Sequence, residues 1–187
     1  MLDKHNKEQF KKKINRKLFL KKVPKELFEN LTITKSGLTE EEKAEIRKKV
    51  HFLVGKFINH LMISGKKEGA ERVFMEALWH IHQKENTKGL FVFLKALENT
   101  KPTIDVRSVR RGGASYQIPV PLKEKRSLSL SIKWLIEVAR KKVDSLALNL
   151  CNSLMEASKN QGDAVKKREA LHLIALKNRS LTHFRWF

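Results

Sequence analysis

The chain has a single cysteine, Cys151, which rules out a disulfide within it and suits a reducing compartment. Acidic residues are scarce: 20 Asp plus Glu stand against 40 Lys plus Arg, a formal net charge of +20 in 187 residues. Long apolar runs are missing too. The longest, Leu90 to Leu94, falls far short of the roughly 18 residues of a membrane-spanning helix, so no membrane partner is expected. No secretory signal peptide opens the sequence, and its N-terminus is rich in lysine where mitochondrial transit peptides favour arginine and serine. The seven histidines form no metal set: His80 and His82, two apart on a helix, point in different directions, and His172 and His183 stand alone. Gly112-Gly113 lacks the further glycines and following helix of a dinucleotide loop, and there is no Walker sequence. Catalytic machinery is not visible, and neither a cofactor nor a small-molecule substrate is expected.

What is present is charge on a foldable chain. With 41% hydrophobic residues the sequence describes a folded body with a strongly positive exterior, for which nucleic acid is the default partner. The length fits one domain with an appended arm. The lead, residues 1–38, is lysine-rich and reads as a basic arm; residues 39–187 read as a helical domain.

Lys101 to Pro121, KPTIDVRSVRRGGASYQIPVP, carries the period of two of a hairpin interrupted by Gly112-Gly113. A loop of only the two glycines would set Arg111 opposite Ala114 and Val106 opposite Pro119, parting the apolar residues. A loop of Arg111-Gly112-Gly113 pairs Ile104 with Val120, Val106 with Ile118 and Ser108 with Tyr116 on one apolar face, and this is the expected register. Arg107, Arg110 and Arg111 then crowd the far end of a ribbon at about 103–120, either as a solvated edge or as a contact for something acidic.

Six helices are expected around it. The first opens on a capping box of Thr39 with Glu42 and carries an apolar stripe to Ser64-Gly65. Lys66-Lys67 follow, then a second helix from about Glu68 to His82, a polar loop from Gln83 to Gly89, and a short third helix ending before Pro102. A fourth, capped by Ser127 or Ser129 and preceded by Lys123, Lys125 and Arg126, buries Leu128, Ile132, Leu135, Ile136 and Ala139 and turns Lys133, Arg140 and Lys141 outward; Glu137 among them pairs with Lys133 or Lys141. Asp144 caps a fifth, whose stripe makes Cys151 a core residue, and which ends at Gly162; Asp163 caps a sixth that opens AVKKRE and runs toward His183-Phe184-Arg185-Trp186. The fold class is mainly α: a six-helix bundle with one protruding β-hairpin and a basic N-terminal extension.

The blocks KPTIDVRSVRRGGASYQIPVPL, SLSLSIKWLIEVARKK and GDAVKKREALHLIALKNRSLTHFRW, with FINHLMISGKKEGAERV and ALENT before them, occur in the order and spacing of a known family. The chain resembles the bacterial and organellar small-subunit ribosomal protein seven family over about residues 45–187. The resemblance implies a helical body with a β-ribbon that binds the 3′ major domain of small-subunit ribosomal RNA and nucleates assembly of the subunit head. It also implies a ribbon near the exit site for transfer RNA and the messenger RNA path, and neighbours in small-subunit ribosomal proteins nine and eleven. By position it reaches Lys66, Lys67, Arg107, Arg110, the basic start of the fourth helix, and Lys166, Lys167 and Arg168. Here Val109 precedes Arg110-Arg111, where the family commonly has two arginines and then valine.

The full candidate set for ribosomal RNA is Lys66, Lys67, Arg107, Arg110, Arg111, Lys123, Lys125, Arg126, Lys133, Arg140, Lys141, Lys166, Lys167, Arg168 and Arg185, with Gly112 and Gly113 at the ribbon turn. Tyr116 is expected to pack on the ribbon, and Trp186 either packs or stacks on a base. Localisation on a ribosome is expected, leaning to the mitochondrial matrix, with a bacterial cytoplasm or a plastid as alternatives. The rival reading is a histone-like DNA-bending protein, but such proteins are much shorter and carry proline, not Gly-Gly, at the arm tip.

Overall fold

The computed structural model describes residues 40–85 and 89–186. The arm expected at 1–38, the Thr39 cap and residues 86–88 of the expected polar loop lie outside them. Among the described residues are α1 (Glu40–Leu61), α2 (Lys67–Glu85), α3 (Gly89–Thr100), β1 (Ile104–Arg111), β2 (Ala114–Pro121), α4 (Glu124–Lys141), α5 (Leu146–Ser158), α6 (Asp163–Lys177) and a 3₁₀ segment (Arg179–Trp186). The six helices and one hairpin expected from the sequence are all there. The chain divides into two units, residues 1–56 and 57–187, and the division falls within α1.

In the second unit α5 is the centre, packed against α2, α3, α4 and α6. Its sequence, LALNLCNSLMEAS, has one charged residue, and a helix apolar nearly all round must be enclosed. Leu150, Cys151 and Leu154 are fully buried there, so Cys151 is the core residue its stripe position predicts. Beside α5, the rings of Phe57, Phe74 and Phe93 meet in a three-way cluster with every pair of centroids 5.2 Å apart. The α4 stripe Leu128, Ile132, Leu135, Ile136 and Ala139 is buried as expected. Gly89 lets α3 approach α2 closely: a Cβ there would lie 2.8 Å from the Leu78 carbonyl oxygen.

Three helix starts differ from the sequence expectation. α4 begins at Glu124 with Lys123 at its N-cap and no side-chain cap, because Ser127 and Ser129 are already inside the helix. The Ser127 hydroxyl donates instead to the Pro102 carbonyl, and that of Ser129 to the Lys125 carbonyl. α5 is capped by Ser145, whose Oγ accepts the Leu148 N–H at 3.3 Å, one residue after the expected Asp144, and it ends at Ser158, before Gly162. α6 takes Gly162 as its N-cap, with Asp163 as its first helical residue.

The hairpin register also departs from expectation. Ile104 pairs with Pro121, Val106 with Pro119, Arg107 with Ile118, Val109 with Tyr116 and Arg111 with Ala114, so the loop is Gly112-Gly113 alone. Both glycines hold positive φ, 55° and 82°, the twist-matched turn that two-residue hairpins favour and that other residues adopt only at a cost. The premise that one face must collect all the apolar side chains does not hold, because the base of the ribbon is covered on both faces. Ile118 and Pro119, adjacent in β2 and therefore on opposite faces, are both buried. Arg107 and Arg110 consequently lie on opposite faces.

The base of the ribbon is closed by Leu122 N–H donating to the Thr103 carbonyl at 3.0 Å, one step below the Ile104–Pro121 pair. The ribbon root is tied to the body through α6, by Thr103 N–H donating to His172 Nε2 at 3.2 Å. Burial, and secondarily the Arg168 guanidinium, push the His172 pKa below its ordinary 6.5, which keeps the ring neutral and able to accept.

Two outcomes test this packing. Gly89→Ala should cost about 1–3 kcal/mol by overpacking, whereas Gly69→Ala, in α2 with nothing within 4 Å of the new Cβ, should gain about 0.5–1 kcal/mol; denaturant titration reads both, and equal effects would contradict the close crossing. Because the folded His172 pKa lies below the unfolded one, its contribution is intact above 6.5 and is lost as pH falls from there toward the lowered value. Between about pH 7.5 and about pH 5.5 the wild type should therefore lose more stability than His172→Gln, whose amide oxygen accepts at any pH.

Candidate nucleic-acid interface

Helix α4 carries the longest line of candidates. Lys123 caps it, Lys125 and Arg126 occupy its first turn, and Arg126, Lys133 and Arg140 repeat every seven residues, so they stay on one face over about 21 Å of helix. Arg126, Lys133, Arg140 and Lys141 are exposed, opposite the buried stripe. Lys133, Arg140 and Lys141, with His60, Ile136 and Glu137, line an open hollow of about 380 Å³. Arg140 also donates through Nη2 to the Leu61 carbonyl at 3.0 Å, satisfying the end of α1. The connection that starts there delivers Lys66 and Lys67, both exposed, to the same end of α4.

Glu137 sits inside this cationic line and binds two lysines from two helices, Lys141 at 3.1 Å and Lys167 of α6 at 2.5 Å. The Lys167 hydrogen bond, then that of Lys141, holds its pKa below the ordinary 4.5. The sequence suggests a partner on the same helix, Lys133 or Lys141. Lys141 is one; the second comes from α6, which spacing along α4 could not reveal.

The α6 candidates divide. Lys166 is exposed and meets its neighbour Asp163, at 3.3 Å. Lys167 is drawn to Glu137, and Arg168 turns inward, its Nη1 donating to the Asn99 carbonyl with only 20% of its side chain exposed. Asn99 in turn donates to the Ala157 and Ser158 carbonyls at 2.9 and 3.0 Å, so Arg168 serves the joint between α3, α5 and α6. Its geometry is structural.

Arg107 and Arg110 are exposed along β1. Arg110 stands six residues beyond Ile104, about 20 Å along the strand. The structure therefore does not merge them with the α4 line: the cations form a body surface and a separate outlying pair. Of Arg111 and Arg185 only the backbone is described. Tyr116 packs, but its ring partner is Phe184 of the 3₁₀ segment, with centroids 5.9 Å apart, where the sequence suggests packing on the ribbon itself. His60, which lines the hollow, has no signal in the sequence, since a histidine near a helix end gives no hint of which neighbour it will face.

No described helix is long and apolar enough to cross a membrane. Among the described residues no group of His, Cys, Asp or Glu is arranged to hold a metal ion.

Comparison with known proteins identifies the family. The model of the family described as ribosomal protein S7p/S5e matches residues 21–179. The small ribosomal subunit protein uS7 of Buchnera aphidicola subsp. Cinara cedri (strain Cc) is 44% identical over 135 residues, covering 72% of this chain and 86% of that protein. On the breadth of both matches, the chain belongs to the ribosomal protein S7p/S5e family.

Proposed function

We propose that the chain is a structural component of the small ribosomal subunit, not an enzyme, and that it works by gripping the 3′ major domain of small-subunit ribosomal RNA. The observation that carries this is the exposed face of α4, on which Arg126, Lys133 and Arg140 recur every seven residues, with Lys123, Lys125 and Lys141 beside them at its ends and Lys66 and Lys67 exposed at the connection after α1. Each phosphate such a face neutralises adds about 0.7 to 0.9 to the dependence of log affinity on log salt. The deep, narrow major groove of an RNA helix keeps side chains from base edges, so fixed spacing of charge on a rigid helix is the means of recognition. Residues 39–187 are the binding domain in this reading, with residues 1–38 adding charge as an arm.

Lys66, Lys67, Lys123, Lys125, Arg126, Lys133, Arg140, Lys141, Lys166 and Lys167 are the proposed body contacts. Arg168 keeps a supporting role, and Arg111 and Arg185 enter on sequence alone. Binding early to the head domain would make the chain a nucleus for its assembly. Arg107 and Arg110 would reach past that contact to the tRNA exit site and the messenger path, with ribosomal proteins nine and eleven as neighbours. The relative from Buchnera is bacterial, and we place the chain on the ribosome of a bacterium or an organelle, with the lysine-rich lead favouring a mitochondrial matrix.

The deciding experiment is salt-dependent binding to a 3′-domain RNA fragment, with duplex DNA of equal length in parallel. RNA should bind more tightly at every salt concentration; equal affinity would favour the DNA-bending alternative. Replacing Arg107, Arg110 and Arg111 together with alanine should leave the thermal midpoint unchanged and lower the salt slope by about 2.7 at most, whereas abolished binding would refute a body-centred grip.

Glu137→Gln supplies the complementary test. It removes a negative charge from the face and frees Lys141 and Lys167, so RNA affinity at low salt should rise about fivefold and the gain should shrink as salt increases. Since Glu137 is about half exposed, its loss should cost under about 1 kcal/mol of stability near neutrality. That cost should vanish as pH falls through 4.5 toward the lowered folded value. Weaker RNA binding by the variant would contradict the placement of the interface.

A further inference from the structure

The ribbon is two-stranded, and such ribbons hold their own shape and direction poorly. Here the end of the chain grips one of its strands from both sides. Tyr116 and Gln117 are adjacent in β2 and so point to opposite faces. The Phe184 ring stacks on Tyr116 with centroids 5.9 Å apart and planes inclined by 28°. On the other face, Asn178 Nδ2 donates to Gln117 Oε1 at 3.5 Å. The stretch between Asn178 and Phe184 therefore passes round the outer edge of β2, the edge not paired with β1.

That stretch is itself locked. Asn178 N–H donates to the Ile174 carbonyl at 3.1 Å, joining it to α6, and Leu181 N–H to the Asn178 carbonyl at 3.0 Å. Thr182 Oγ1 donates to the Arg179 carbonyl, and His183 Nδ1 to the Ser180 carbonyl at 2.8 Å. With the His172 contact at the ribbon root, α6 and its 3₁₀ extension hold the ribbon at the root and again near mid-length.

We propose that the segment Asn178–Phe184 is the brace that aims the ribbon, and that Phe184 is a positioning residue for the contacts of Arg107 and Arg110. Arg107 lies on the Tyr116 face, opposite Ile118 and so diagonal to Tyr116, while Arg110 stands further out on the other face. A ribbon pivoting at its root by about 20° would carry Arg110 about 7 Å sideways, given the roughly 20 Å between them, far enough to exchange one phosphate for the next. Stacking Phe184 on Tyr116 removes that freedom before any ligand arrives. The functional half of the inference rests on the reading that the ribbon arginines meet nucleic acid; the mechanical half does not.

The test separates the two. Spin labels at Ala114→Cys, on the ribbon, and Lys95→Cys, on α3, report the ribbon's direction, with the native Cys151 fully buried and its thiol pushed up by burial, hence unreactive. Phe184→Ala should broaden the distance distribution while the thermal midpoint of the body stays unchanged, and Phe184→Tyr, which keeps a ring, should restore the narrow distribution. An unchanged distribution in Phe184→Ala would overturn the brace whatever the RNA result. In parallel, backbone footprinting on the RNA fragment should show Phe184→Ala losing the same protections that Arg107→Ala/Arg110→Ala loses and keeping the rest. Broadening without that loss would overturn the positioning role. If the wild-type protein protects no RNA, the proposed function fails, and the distance measurement still decides the brace.

Discussion

Burial of α5 is the constraint on which the remaining geometry depends. A helix with a single charged residue cannot be left in water, and each of its large side chains, such as Leu150 and Leu154, contributes roughly 1.5–3 kcal/mol when fully enclosed. Enclosure recruits an apolar stripe from α2, α3 and α4 and turns their polar faces outward. For α4 the outward face is lysine and arginine, so the cationic surface is a by-product of the same amphipathic pattern that completes the core. A net charge of +20 spread over a sphere would repel itself everywhere. The part of it that α4 carries, Lys125, Arg126, Lys133, Arg140 and Lys141, is held at fixed spacing on one rigid helix.

Polar groups inside the body extend that rigidity to the ribbon. Thr100 and Ser131 are buried side by side and return hydrogen bonds to the last carbonyls of α3, while Ser127 holds the carbonyl of Pro102. Arg168 and Asn99 do the same for the ends of α3 and α5. The bonds to Leu97, Asn99 and Ser158 satisfy carbonyls in the last turns of α3 and α5. The ribbon therefore leaves the body from a fixed point, and two faces of one strand are gripped again further out.

How much of this is legible in the sequence depends on the range of the interaction. The period of 3.6 places all six helices and the buried stripes, because burial acts residue by residue along one element. Cys151 and Ile132 need nothing more to be assigned to the core. Caps come out one residue off at Asp144 and Asp163, since several small polar residues compete for each terminus. The expected hairpin register fails because it assumes a single covered face, and the second cover, α6 with the 3₁₀ segment, lies about sixty residues away in sequence. For the candidate interface, residue type finds the α4 line. It cannot separate Arg168, which turns inward to a carbonyl, from Lys166, which stays in solvent, nor can it bring Lys167 to Glu137 across two helices.

The central claim is that a helix face meets RNA directly. A photoreactive side chain at position 133, on the exposed line of α4, should cross-link to the 3′ major domain in assembled small subunits, and the same group at position 95 on α3 should cross-link far less. Cross-links from position 95 with none from position 133 would contradict it.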